Sequence, residues 1–174
     1  MFGETGLVQI YTGDGKGKTT AALGLALRAA GQGAKVAIVQ FMKGWDSYGE
    51  LKSVRLLPNV TLVQTGRPDY VYRGKETQQD YDEAARGLAE ARRFVAAGVD
   101  LLILDEINVA LDYKLLKLAD VADFVRSKPS GTELVLTGRA AARELLELAD
   151  LVTEMREIKH PYQHGVKARR GVEY

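Results

Sequence analysis

The sequence predicts an α/β fold with a mostly parallel central sheet of five to six strands, on three observations. Apolar runs rich in Val, Ile and Leu alternate with segments of helical periodicity. A glycine-rich loop ending in Gly-Lys-Thr joins the first apolar run to the first helical segment. A later apolar run ends in two adjacent carboxylates, Asp105 and Glu106.

Each element has its own signal. Leu7 to Tyr11 reads as a buried strand, and Ala21 to Ala30 as a helix ending near Gly31. Lys35 to Phe41 is a second strand and Val60 to Gln64 a short third. Asp80 to Ala97 reads as an amphipathic helix with Ala84, Leu88, Ala91 and Val95 on one face. Leu101 to Asp105 is a fourth strand, apolar on both faces as central parallel strands are. A helix within Leu115 to Lys128 must stop before Pro129. Glu133 to Thr137 is a fifth strand, Ala140 to Ala149 a helix, and Leu151 to Met155 a sixth strand. Gly66 to Gln79 is the longest irregular stretch, the length of loop that usually carries function.

Bulk properties narrow the partners. At 174 residues the chain suits one domain, spanning residues 1–174. Its 24 basic and 23 acidic residues leave a net charge of +1, so no nucleic acid and no membrane surface is expected as a partner. The chain has no cysteine, which removes disulfides and thiolate chemistry and fits a cytoplasmic protein. Met1 to Gly6 lacks the basic and apolar blocks of a signal peptide.

The loop Gly13, Asp14, Gly15, Lys16, Gly17, Lys18, Thr19, Thr20 carries the chemistry. Glycines let backbone N–H groups approach phosphate oxygens, and the helix N-terminus adds unpaired N–H groups and partial positive charge. Lys18 would neutralise phosphate, and the Thr19 hydroxyl would ligate Mg²⁺. This is a P-loop, although Thr12 stands where the usual pattern begins with Gly. The expected fold is therefore a P-loop (RecA-like) three-layer arrangement. Asp105 and Glu106, with Thr19, form an all-oxygen set suited to Mg²⁺ or Mn²⁺, and strand alternation points the two acids to opposite sides. ATP or GTP binding follows, without saying what reacts.

Further motifs narrow the choice. Tyr11 to Ala22, Val39-Gln40-Phe41-Met42-Lys43-Gly44 with Gly49-Glu50, Leu104-Asp105-Glu106, Leu136-Thr137-Gly138-Arg139, Lys159-His160 and the tail from Gly165 to Tyr174 occur in order. Together they resemble the P-loop type of the ATP:corrinoid adenosyltransferase family along nearly the whole chain. Members often carry Asn where this chain has Asp14. The resemblance implies transfer of the 5′-deoxyadenosyl group of ATP to cobalt(I) of a corrinoid, with triphosphate leaving from a reversed pose in the loop. It implies Lys18, Thr19 and Glu106 as catalytic residues, and a homodimer served by a reductase such as a reduced flavoprotein. Arg28 and Arg139 are candidate nucleotide contacts. Lys43, Tyr70 and Tyr72 are candidate corrinoid contacts; the tyrosines match the family's aromatic loop positions by place, not identity, and loop packing is their other reading. His160 and His164 are expected at a substrate rim or in a structural role, and Lys167, Arg169 and Arg170 form a basic tail. The competing readings are a P-loop small-molecule kinase, with Arg67 and Arg73 as lid arginines, and a RecA-like ATPase that binds nucleic acid.

Overall fold

The computed structural model describes residues 5–174, so the leader expectation for the first four residues lies outside it. The strands are β1 (Val8–Thr12), β2 (Val36–Phe41), β3 (Val60–Thr65), β4 (Leu101–Asp105), β5 (Glu133–Thr137) and β6 (Leu151–Glu154). They form one sheet in the order β3-β2-β4-β5-β1-β6, and every pairing is parallel. The helices are α1 (Lys18–Gly31), α2 (Gly49–Val54), α3 (Gln78–Ala96), α4 (Ile107–Asp112), α5 (Leu118–Arg126) and α6 (Arg143–Leu148).

Strand periodicity divides the core in two. Ile10, Val39, Phe41, Leu102, Leu104 and Leu136 face α3, α4, α5 and α6. Ile38, Ile103 and Val135, one residue out of step, face the alanine stripe of α1 at Ala22, Ala26 and Ala29. Helices on both faces of a parallel sheet give the three layers expected. Small side chains on α1 let it lie close to the sheet, and the phosphate loop is thereby held at the sheet's carboxyl edge.

Helix α3 packs as closely at Gly87. A Cβ there would stand 2.5 Å from Phe41 Cε1 and 2.6 Å from Thr65 Oγ1. Gly87→Ala is expected to destabilise the fold by about 1–3 kcal/mol despite alanine's better helix propensity, because overpacking outweighs it. Thermal unfolding of the purified variant checks this; an unchanged or raised Tm contradicts it. The N-terminus of α3 is fixed by a capping box between Thr77 and Asp80. Burial alone would raise the Asp80 carboxyl, but hydrogen bonds from Thr77 and the Arg67 guanidinium outweigh it and hold it below the usual range.

Two helices escape the sequence reading. Helix α2 has six residues and buries none of them, so it leaves no apolar period to detect. Helix α4 follows β4 through its N-cap Glu106, whose φ of 63° turns the chain, and its six residues are too short a segment for helical periodicity to stand out. Among the described residues no helix is long and apolar enough to cross a membrane.

Candidate active site

The phosphate loop follows β1 with two glycines in the left-handed region, Gly13 at φ 91° and Gly17 at φ 117°. A Cβ on Gly13 would also lie 2.4 Å from the Met155 carbonyl oxygen. The segment after β6 braces the loop from outside. The Gly15 N–H donates to the Met155 carbonyl at 2.7 Å, and the Met155 N–H donates to Thr12 at 2.8 Å. The Gly15 amide is thus committed to the scaffold, which leaves the N-terminus of α1 as the main donor array. No acidic residue of α1 itself occupies its first turn, so the helix's own sequence does not offset its positive end.

Lys18 folds back over this loop. Its Nζ donates to the carbonyls of Gly13 and Gly15, both at 2.7 Å, and the residue is buried. Burial pulls its ammonium below the usual lysine range, with Glu106 acting the other way.

Asp105 is the centre of the acid strand. One carboxylate oxygen, Oδ1, accepts from Thr19 Oγ1 at 2.8 Å and Thr137 Oγ1 at 2.7 Å. The other, Oδ2, accepts from Lys43 Nζ at 2.7 Å and Gln40 Nε2 at 3.2 Å. Strand β5 stands between β1 and β4, so β4 is not the direct neighbour of the loop strand. Asp105 nevertheless reaches Thr19, because both lie at the carboxyl edge. The two acids do diverge, through the backbone turn at Glu106 rather than through continued strand alternation. Asp105 faces inward to its partners, and Glu106 lines the cavity. Burial and the neighbouring Asp105 charge push the Glu106 carboxyl up, against Lys43, Lys18 and Arg139.

Lys18, Thr19 and Glu106 meet at one cavity of about 890 Å³. Its polar end is made by residues 14–20, Lys43, Glu50, Glu106 and Arg139. Its other end runs between α1 and α2 over Leu23, Leu27, Ile38, Leu57 and Val60. Among the described residues no three His, Cys, Asp or Glu side chains are grouped as a metal cluster.

The other expected residues separate. Arg139 lines the cavity and approaches Asp14, 3.8 Å between Nε and Oδ1, so the Asp14 carboxylate pairs outward. Arg28 is exposed in the last turn of α1 and outside the cavity, because ten residues of helix carry it ~15 Å from Lys18. Lys43 lines the cavity with its ammonium paired to Asp105. Burial would depress its ammonium, but Asp105, with Glu106 and Glu50, holds it above the usual range. Tyr70 and Tyr72 are both exposed and neither lines the cavity. Tyr70 does pack edge-on against Trp45 with ring centroids 4.6 Å apart, and Trp45 lies 5.9 Å from Tyr48 in the cavity wall. The Trp45 indole N–H donates to the Pro68 carbonyl, tying the loop after β2 to the loop after β3. Tyr72 has no place in this ring group. His160 lines the cavity and His164 is exposed. Arg67 is bound to Asp80 and Arg73 to Asp112, so both loop arginines are paired with carboxylates of the scaffold.

Sequence reasoning missed Trp45, Gln40 and Glu50 as site residues. Trp45 is the chain's one tryptophan and follows a strand at the sheet's carboxyl edge, which is a usable signal. Gln40 is fully buried within β2 and donates to Glu50 and Asp105; a polar residue in an otherwise apolar strand is the corresponding sign.

Comparison with known proteins agrees with this geometry. Residues 4–174 match the family model described as ATP:corrinoid adenosyltransferase BtuR/CobO/CobP. The corrinoid adenosyltransferase of Escherichia coli (strain K12) is 36% identical over 172 residues, covering 98% of this chain and 87% of that protein. That of Pseudomonas aeruginosa is also 36% identical, with 98% and 85% covered. Corrinoid adenosyltransferase CobA of Salmonella typhimurium is 34% identical, with 98% and 87% covered. In fold, the chain is similar to the KaiC-like protein PH0186 of Pyrococcus horikoshii OT3, with a TM-score of 0.58 at 18% identity over 90% of this chain and 74% of that one. The similarity to the adenosyltransferases runs well beyond the phosphate loop that unrelated enzymes share, and the chain belongs to the ATP:corrinoid adenosyltransferase family.

Proposed function

We propose that this enzyme joins C5′ of ATP to cobalt(I) of a corrinoid (cobalamin, cobinamide or cobyrinic acid a,c-diamide) and releases inorganic triphosphate, in adenosylcobalamin biosynthesis or salvage. The observation that carries this is the single cavity shared by the phosphate loop, the acid strand and the wall bearing Tyr48. Cobalt(I) brings its own electron pair to C5′, and the C5′–O bond breaks with its electrons going to the triphosphate. No protein base is needed. The protein's work is to hold C5′ in line and to stabilise the charge gathering on the leaving group. Lys18 and the α1 N-terminus act on that charge, and Arg139 adds to them from the rim. Gly13, Gly15 and Gly17 shape the loop, while Lys16 and Thr20 face the phosphates.

Thr19, Asp105 and Glu106 would hold Mg²⁺, or Mn²⁺ in its place. Thr19 Oγ1 and Asp105 Oδ1 lie 2.8 Å apart and, with the Glu106 carboxylate at the cavity, offer the hard oxygen donors that Mg²⁺ takes. The ion, when bound, neutralises triphosphate charge.

The corrinoid would lie over the mouth of the cavity against Tyr70 and Trp45, with Tyr72 further out. An aromatic wall there excludes water and an axial ligand from cobalt, which favours reduction by a separate reductant such as a reduced flavoprotein. We assign the enzyme to the cytoplasm, as a homodimer.

The test is an anaerobic incubation with MgATP and chemically reduced cob(I)alamin, followed by the corrinoid spectrum. A light-sensitive adenosylcobalamin spectrum is expected. A corrinoid left unalkylated while ATP is consumed contradicts the proposal.

A further inference from the structure

The tail from Gly165 to Tyr174 has a tight structural role that the transfer chemistry leaves unused. Its residues are almost all exposed, yet Gly171, Val172, Glu173 and Tyr174 line the phosphate end of the cavity. One cluster pins it there. Lys16 Nζ, on the phosphate loop, donates to Glu173 Oε1 at 2.8 Å and to the Val172 carbonyl at 3.2 Å. Glu173 also accepts from the Arg169 backbone N–H at 2.7 Å and from Arg169 Nη2 at 3.1 Å. The turn closes on itself through Glu173 N–H to the Arg169 carbonyl at 2.9 Å and Gly171 N–H to the Tyr174 carbonyl at 2.7 Å.

Charge and valence decide what this cluster does when a polyanion arrives. Lys16 and Arg169 bring two cationic side chains to the one carboxylate of Glu173. An ammonium has three N–H donors, and two are used by the tail. The third remains for a phosphate oxygen. The bonds from Arg169 and Lys16 hold the Glu173 carboxyl at about 2, so the carboxylate stays charged throughout the neutral range.

We propose that Glu173 is a positioning residue for the bound nucleotide: it acts through Lys16, fastening residues 169–174 as a strap over the triphosphate while directing the Lys16 ammonium to it. This rests on the reading that ATP sits in the phosphate loop. A strap fastened this way tightens when ATP binds, because the triphosphate attracts Lys16 and Arg169, the two cations that Glu173 holds together. It covers the phosphates from bulk water and slows their escape before cobalt attacks C5′.

The tail carries its own reporter, since Lys167, Arg169 and Arg170 are trypsin sites. In the wild-type protein, ATP or inorganic tripolyphosphate is expected to slow cleavage at these sites severalfold. In Glu173→Gln that protection is lost, and the KM for ATP rises about fivefold, the scale of one exposed ion pair, with kcat changed less. Glu173→Asp, which keeps the charge, recovers part of both effects; a residue serving only to fold the tail would change cleavage with and without ligand alike. Faster cleavage on adding ATP would overturn the proposal and make Glu173 a competitor of phosphate. Calorimetric titration of ATP into the same wild-type protein separates the two levels. Binding without protection overturns the strap alone, whereas no binding overturns the phosphate-loop reading and the strap with it.

Discussion

Replacing Lys18 with alanine is expected to lower kcat/KM by about 10²–10³-fold, the range for removing one preorganised donor from a developing anion. Lys18 is held by the loop it serves. Its ammonium sits 2.7 Å from the carbonyls of both Gly13 and Gly15, buried beneath the loop. The group is therefore in place before substrate arrives, and little reorganisation is needed during the reaction. The same contacts predict a smaller structural effect of about 1–2 kcal/mol, because two inward carbonyls lose their donor. Lys18→Arg should not restore activity, since a planar guanidinium does not fit a site shaped around a point charge between two carbonyls. Steady-state rates at saturating cob(I)alamin, with a melting curve to show that each variant is folded, check both statements. A Lys18→Ala enzyme within tenfold of wild type contradicts the role.

Asp105→Ala should be the most destabilising change at the site, by about 3 kcal/mol, or a Tm drop of ~6–12 °C. Four side chains converge on this carboxylate: Thr19, Thr137, Gln40 and Lys43. Truncation leaves the Lys43 ammonium largely buried and without its closest anion, while Glu106 and Glu50 compensate only from further away. It also removes the oxygen that sets Thr19, so activity falls with stability. Adding Lys43→Met removes the stranded charge, and the double variant should regain part of the lost stability. If Asp105→Ala alone melts within about 2 °C of wild type, the carboxylate is not the hub described.

The sheet and the loop were legible in the sequence because their signals are local. Each strand is a short apolar run with a clear end, and Gly-Lys-Thr sits at a strand-to-helix junction. Asp105 and Glu106 were legible as a pair, but not the division of labour between them, which follows from the positive φ at Glu106. The pairing of Lys43 was hidden for a related reason. Its partner lies on another strand, and sequence position gives the edge of the sheet without the direction of a long side chain. Arg28 misled because it belongs to the right helix at the wrong distance along it. Trp45 and Tyr70 come from loops separated by β3, so their pairing needs the fold. The contact of Glu173 with Lys16 spans nearly the whole chain and has no local trace.

Attack at C5′ is the centre of this account, and the fate of the phosphates reports it directly. Phosphorus NMR of a completed reaction with MgATP and cob(I)alamin should show one intact inorganic tripolyphosphate formed for each adenosylated corrinoid. Accumulation of ADP with orthophosphate in its place would mean that the loop cleaves the terminal anhydride, and the adenosyl-transfer mechanism would be contradicted.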